Sequence, residues 1–219
     1  MGDLARASST GDQSAQILDS ALCALSDPSV AIGEAFGEVP SEAGLYAVYG
    51  GRGVWRELGL GAPPDGRPLY VGKAEDSLVA RDLRTHFETG RTGSSTLRRS
   101  CAALLAQQLD LHAQPRNPKR PERYANYALR AGDDARLTGW MCAKLRLAVW
   151  PKRGHGALAE VEQQILMRLL PPLNLTGVRT PWTDQVKAAR RALADEAHGW
   201  AQERDHVLVD HSGPPHSMP

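Results

Sequence analysis

At 219 residues the chain is long enough to bury a sizeable core, and its length suggests one domain with appendages. A net charge of only +1, from 26 Lys and Arg against 25 Asp and Glu, and the absence of any apolar run near the length of a membrane span argue against a membrane partner. The opening MGDLARASSTGDQS has no apolar signal core, and Cys23, Cys101 and Cys142 form no C-x-x-C pair and no zinc spacing, so buried free thiols in a reducing, cytoplasmic compartment are expected.

Residues 1–14, rich in Ser, Gly and Asp, are expected to be disordered. An N-terminal helical segment is expected within 15–43, carried by Ile17, Leu18, Leu22 and Leu25 and interrupted at Asp27-Pro28. Gly44 to Tyr49 (GLYAVY) is a β-rich run, and Leu69-Tyr70-Val71 is a second; the two can pair antiparallel across the glycine-rich loops between them. From Asp76 to about Glu88 the stripe Val79, Leu83, Phe87 predicts a helix that Gly90 stops. A further helix follows, capped from Ser94 to Thr96, with Leu97, Cys101, Leu104 and Leu105 on its apolar face. Residues 113–123 (AQPRNPKRPER) read as a basic, proline-rich loop, Lys144 to Trp150 (KLRLAVW) as a third strand, and Ala157 to Leu170 as a helix ended by Pro171-Pro172. A C-terminal helix is expected over 177–205, its regular part from Trp182, with a disordered tail over 206–219. The order predicts a small mixed α/β domain over 44–176, with a three-stranded antiparallel sheet flanked by helices and an insertion at 91–140.

The charge is unevenly spread. Residues 1–80 sum to −6, residues 81–153 to +9 and residues 154–219 to −2. A basic middle between acidic flanks is an electrostatic footprint suited to nucleic acid, with Arg98, Arg99, Arg116, Lys119, Arg120 and Arg123 as the candidate contacts.

The phrase GRPLYVGKAED invites comparison with a phosphate-cradling P-loop, G-x-x-x-x-G-K-[ST]. Five residues, not four, separate Gly66 from Gly72, and Ala74 stands where the metal-binding hydroxyl should be. Both departures remove groups the chemistry needs.

A different set fits better. Gly44-Leu45-Tyr46 lies on the first strand and Tyr70-Val71-Gly72 on the second; a helix bearing Arg and His follows, then Glu162, then Pro171-Pro172-Leu173-Asn174. This order resembles the GIY-YIG nuclease superfamily, which includes homing endonucleases, some restriction enzymes and the incision subunit of bacterial excision repair. The resemblance spans about 44–174. It implies a divalent-metal-dependent endonuclease that hydrolyses DNA phosphodiester bonds with one Mg²⁺, replaceable by Mn²⁺. Tyr46 would position or deprotonate the attacking water, and Tyr70 would lie beside the phosphate. Gly72 would allow close packing, Lys73 would add positive charge, and His86 would be the helix histidine. Glu162 would hold the metal, and Asn174 would fix local structure. These residue types suit the reaction, because a carboxylate is a hard oxygen ligand for Mg²⁺ and a guanidinium matches phosphate with a permanent charge.

The chain departs from that pattern on the histidine-bearing helix. The family's arginine precedes the histidine by four positions, but here Asp82 holds that place, and the arginine is either Arg81 or Arg84. Asp82 itself is a rival metal ligand, and Glu160 competes with Glu162. Each site residue also has an ordinary structural reading: strand tyrosines in a core, a buried helix histidine, solvated charges. A binding module on the same fold that no longer cuts is the alternative function. A possible homodimer, duplex or single-stranded DNA, and a role in restriction, repair or defence remain open at this point.

Overall fold

The computed structural model describes residues 3–28, 30–63, 65–79, 84–117, 119–152 and 157–210. Its frame is a four-stranded antiparallel sheet in the order β1-β6-β2-β3. Strand β2 (Gly44–Gly50) is central and buried along nearly its whole length. It pairs with β3 (Tyr70–Ala74) on one side, with Tyr46 opposite Gly72 and Val48 opposite Tyr70, and with β6 (Leu145–Pro151) on the other. Because both faces of β2 are covered, GLYAVY reads as an apolar run without alternation. The two-residue strand β1 (Val30–Ala31) pairs with β6 and adds a fourth strand to the three expected.

Alternate residues of β2 feed two cores. Leu45, Ala47 and Tyr49 face helix α1 (Asp3–Leu25) and helix α5 (Leu158–Leu169), packing with Leu18, Ala21, Leu25 and Ile165. Tyr46 and Val48 face the other layer. That layer holds α2 (Arg52–Glu57), α3 (Thr96–Leu105), α4 (Ala131–Lys144) and the inner face of α6 (Thr183–Asp210). Helix α1 begins at Asp3, ahead of the boundary expected at 15, and ends before Asp27-Pro28; residues 32–37 form a separate 3-10 turn. Helix α6 runs to Asp210, past the expected end at 205, and 211–219 lie outside the described residues.

The insertion has structure of its own. The loop expected over 113–123 contains β4 (Ala113–Gln114), which pairs with β5 (Ala128–Leu129), and a 3-10 turn over Pro121–Asn126. Helix α6 lies across α3, this turn and β4. Of the thiols expected to be buried, Cys101 is buried, Cys142 is partly covered and Cys23 is exposed. No described helix is long and apolar enough to cross a membrane.

Candidate active site

Gly72 and Lys73 lie within strand β3, not in a loop before a helix, so no phosphate-cradling turn forms there. Gly72 instead faces Tyr46 across the strand pair. A Cβ at position 72 would fall on the phenol ring of Tyr46, so only glycine lets this ring lie over β3. The Tyr46 oxygen is 2.5 Å from His86 Nε2, and His86 Nδ1 is 2.6 Å from Ser95 Oγ. Ser95 is the N-cap of α3, and its oxygen also accepts from the Arg98 backbone N–H at 3.0 Å. A capping hydroxyl thereby fixes the imidazole, and the imidazole fixes the phenol. When Nδ1–H donates to Ser95, Nε2 is left as the acceptor for the Tyr46 O–H. Tyr70 completes the group, with ring centroids 6.1 Å from Tyr46 and 5.8 Å from His86.

Strand β3 is the free edge of the sheet, and the cleft wraps over that edge. Tyr46, Tyr70 and Gly72 line it from one face, while Lys73 and Glu162 of α5 line it from the other; the volume is about 490 Å³. Glu162 Oε2 is 3.9 Å from Lys73 Nζ, and Lys73 pairs more closely with Glu75 at 2.7 Å. Burial raises the proton affinity of Glu162; Lys73 opposes that shift and Glu75 reinforces it. The Lys73 ammonium is held above its ordinary range, chiefly by its hydrogen bond to Glu75. Asn174 lies just beyond the cleft wall. Its Nδ2 donates to Val71 O at 2.7 Å and its Oδ1 accepts from Val71 N at 2.9 Å. One amide thus satisfies the outward backbone groups of the edge strand, as a neighbouring strand would.

Tyr46, Tyr70, Lys73, His86 and Glu162 therefore come together, with Asn174 bracing the strand that carries two of them. Arg84 is exposed and is not among the described residues lining the cleft, while Arg81 and Asp82 lie outside the described residues. Glu160 is exposed on α5 and does not line the cleft. Arg98 corrects the expectation of a nucleic-acid contact. It is fully buried, its guanidinium paired with the Asp134 carboxylate and donating to His86 O at 3.1 Å, Thr92 Oγ1 at 3.1 Å and Thr138 Oγ1 at 2.8 Å. A charge so enclosed is a structural tie between α3, α4 and the backbone of the site histidine. Arg116, Lys119, Arg120 and Arg123 are exposed, and Arg99 is nearly buried. Ser95 and Glu75 join the site although motif order does not point to them. Ser95 has a visible signal as a cap candidate, but its place beside His86 is a tertiary fact.

The GIY-YIG catalytic domain family matches residues 65–193, and the chain belongs to that family of nucleases. The matched span begins after β2, so Tyr46 joins the site through its pairing with β3. Comparison with curated proteins and with solved structures returned no match.

Proposed function

We propose that the chain is a one-metal endonuclease acting on DNA. The observation that carries this reading is the Tyr46 phenol, hydrogen-bonded to His86 and sharing one cleft with the half-buried carboxylate of Glu162. The donors suit a hard divalent cation. Glu162 is an oxygen ligand of raised proton affinity, Glu75 and Asp76 add negative charge to the cleft, and no cluster of three or more His, Cys, Asp or Glu ligands is gathered among the described residues. Such a site leaves most of the ion's shell to water and phosphate, as Mg²⁺ prefers. Bound there, Mg²⁺ or Mn²⁺ would neutralise charge on the phosphate oxygens.

The protein's own groups handle the proton. The attacking water gives a proton to the Tyr46 oxygen as the phenol proton passes to His86 Nε2. The water oxygen then bonds to phosphorus, the P–O bond to the leaving group breaks with its electron pair on the departing oxygen, which takes a proton from solvent, and His86 returns its proton to solvent. Lys73 and an arginine offset the growing negative charge. We assign that arginine role to Arg81, since Arg84 is exposed and is not among the described residues that line the cleft. Nicking one strand at a time, or acting as a homodimer, would let a single site per chain break a duplex.

The test is cleavage of duplex DNA, single-stranded DNA and RNA with Mg²⁺ and with EDTA. Glu162→Gln should abolish cutting and keep nucleic-acid binding. Full activity in that variant, or in EDTA, overturns the metal assignment. Arg81→Ala should lose on the order of 10² in rate, with Arg84→Ala close to wild type; the reverse result moves the role to Arg84. A chain that binds all three polymers and cuts none is the binding module.

A further inference from the structure

Three arginines from distant parts of the chain lie within electrostatic reach of one another near Tyr70, where α6 packs on α3. Arg99 comes from α3, Arg116 from the loop after β4, and Arg190 from α6. Arg99 Nη1 and Arg116 Nη1 both donate to one neutral acceptor, Gly93 O, at 2.8 and 3.1 Å. Burial, then the neighbouring charge of Arg190, with Arg116 adding to it, push the Arg99 guanidinium down to about 10. Burial lowers Arg190 as well. Among the described residues, no carboxylate pairs with any of the three. Arg99 is only 8% exposed, and its buried Nε has no acceptor among the described residues.

The adjacent Arg98 is also removed from water, but it has Asp134 to balance it, whereas the partners of Arg99 among the described residues are carbonyl and hydroxyl oxygens. An enclosed guanidinium without a counter-ion carries an unrepaid desolvation cost, and two more arginines beside it add repulsion. An anion brought from outside would relieve both effects.

The cluster is joined to the catalytic cleft. Arg99 Nη2 contacts Thr96 Oγ1 at 3.4 Å, and Thr96 and Tyr70 line a groove of about 270 Å³ that continues to Glu162 and Asn174. Tyr70 and Glu162 also line the cleft itself. A polymer with one phosphate against Tyr46 and Glu162 would carry its next phosphates along this groove. We propose that Arg99, Arg116 and Arg190 form a second phosphate site, holding a backbone phosphate of the strand that flanks the scissile one. The proposal rests on the reading of the chain as a nuclease. It adds Arg190 of α6 to the substrate contacts and separates Arg99 and Arg116 from the surface charges of the 119–123 loop.

The experiment measures binding of fluorescently labelled duplex and single-stranded DNA by anisotropy across a salt series, in a Glu162→Gln background that prevents cutting. Arg190→Gln and Arg116→Gln should each weaken binding on all sequences alike. Each should also flatten the slope of log affinity against log salt by roughly 0.9 on duplex, or roughly 0.7 on single strands, for every phosphate the variant no longer neutralises. Arg168→Gln, on α5 beside Asp19, removes the same charge elsewhere and should change neither quantity. Thermal melting checks the fold, and because Arg116 is exposed its variant decides the matter if Arg190→Gln is destabilised. Unchanged affinity and slope in these variants, with a wild type that cuts DNA, overturns the second site alone. Losses equal to those of Arg168→Gln overturn it too, by reducing the effect to net charge. A wild type that neither binds nor cuts DNA overturns the nuclease reading along with it.

Discussion

A phenol is a weak base at neutral pH, and what the Tyr46 oxygen can do is decided by His86 and Ser95 behind it. Removing that oxygen leaves the ring to pack on β3. Tyr46→Phe should therefore lower cleavage by about 10²–10⁴-fold, the usual span for a general acid–base group, while DNA affinity stays near wild type and the melting temperature falls only modestly, because the buried His86 Nε2 loses its hydrogen bond to the phenol. A Phe variant with normal turnover would reduce Tyr46 to a core aromatic. Gly72→Ala separates packing from chemistry differently. The added methyl would occupy the place of the Tyr46 ring, so activity and melting temperature should fall together. The tyrosines, the glycine and Glu162 are legible in the sequence because motif order and spacing carry them. The Ser95 contact is not, since nothing in the sequence brings residue 95 to residue 86 except the packing of α3 against the site histidine.

At the scale of elements, β2, β3 and β6 are legible because their apolar runs are bounded by Gly and Pro. The two residues of β1 and the short helix α2 leave too little pattern to read, and α4 begins with the polar AGDDAR and shows few apolar positions before Leu137. Arg98 escapes a sequence reading for a more general reason. A charge count along the chain does not say which side chain turns inward, and its partner Asp134 is 36 residues away. Arg98→Met should cost about 3–5 kcal/mol in chemical denaturation, because Asp134 is left charged and enclosed. The paired change Arg98→Met with Asp134→Leu should recover much of that loss, and a mild effect of the single variant would mean that water reaches the pair. Asn174 braces β3 by a different route. Asn174→Ala strips two hydrogen bonds from the strand edge and leaves the Val71 N–H and carbonyl without them. A loss of about 1–3 kcal/mol is expected, with cleavage falling because Tyr70 and Lys73 ride on that strand. Wild-type stability in this variant would show that water replaces the amide.

Across the whole molecule, the sheet separates the layer that holds Tyr46 and His86 from a layer of α1 and α5 that brings Glu162 to the cleft over the β3 edge, and this second layer is latched by a titratable group. The Tyr49 O–H donates to the Leu25 carbonyl at the end of α1 at 2.5 Å, and burial pushes this phenol up to about 12. An unfolded tyrosine ionises near 10. Below that pH both states keep the proton and the latch contributes in full. As pH rises past 10 the unfolded chain releases the proton and the native one does not, so stability falls with pH. By about 12 the native phenol ionises too, and the donor to Leu25 is gone. Burial also raises the phenol of Tyr127 and the thiol of Cys101, in the opposite layer, so the alkaline loss has contributions from both sides of the sheet. The urea midpoint should stay level through neutral pH, begin to drop above about pH 9, where the unfolded thiol ionises, and drop more steeply above about pH 10. Tyr49→Phe should begin lower, having lost the hydrogen bond, and should then fall less steeply. If the slope above pH 10 is unchanged in that variant, the alkaline loss belongs to Tyr127 and Cys101, and the Tyr49 proton is no part of what holds α1.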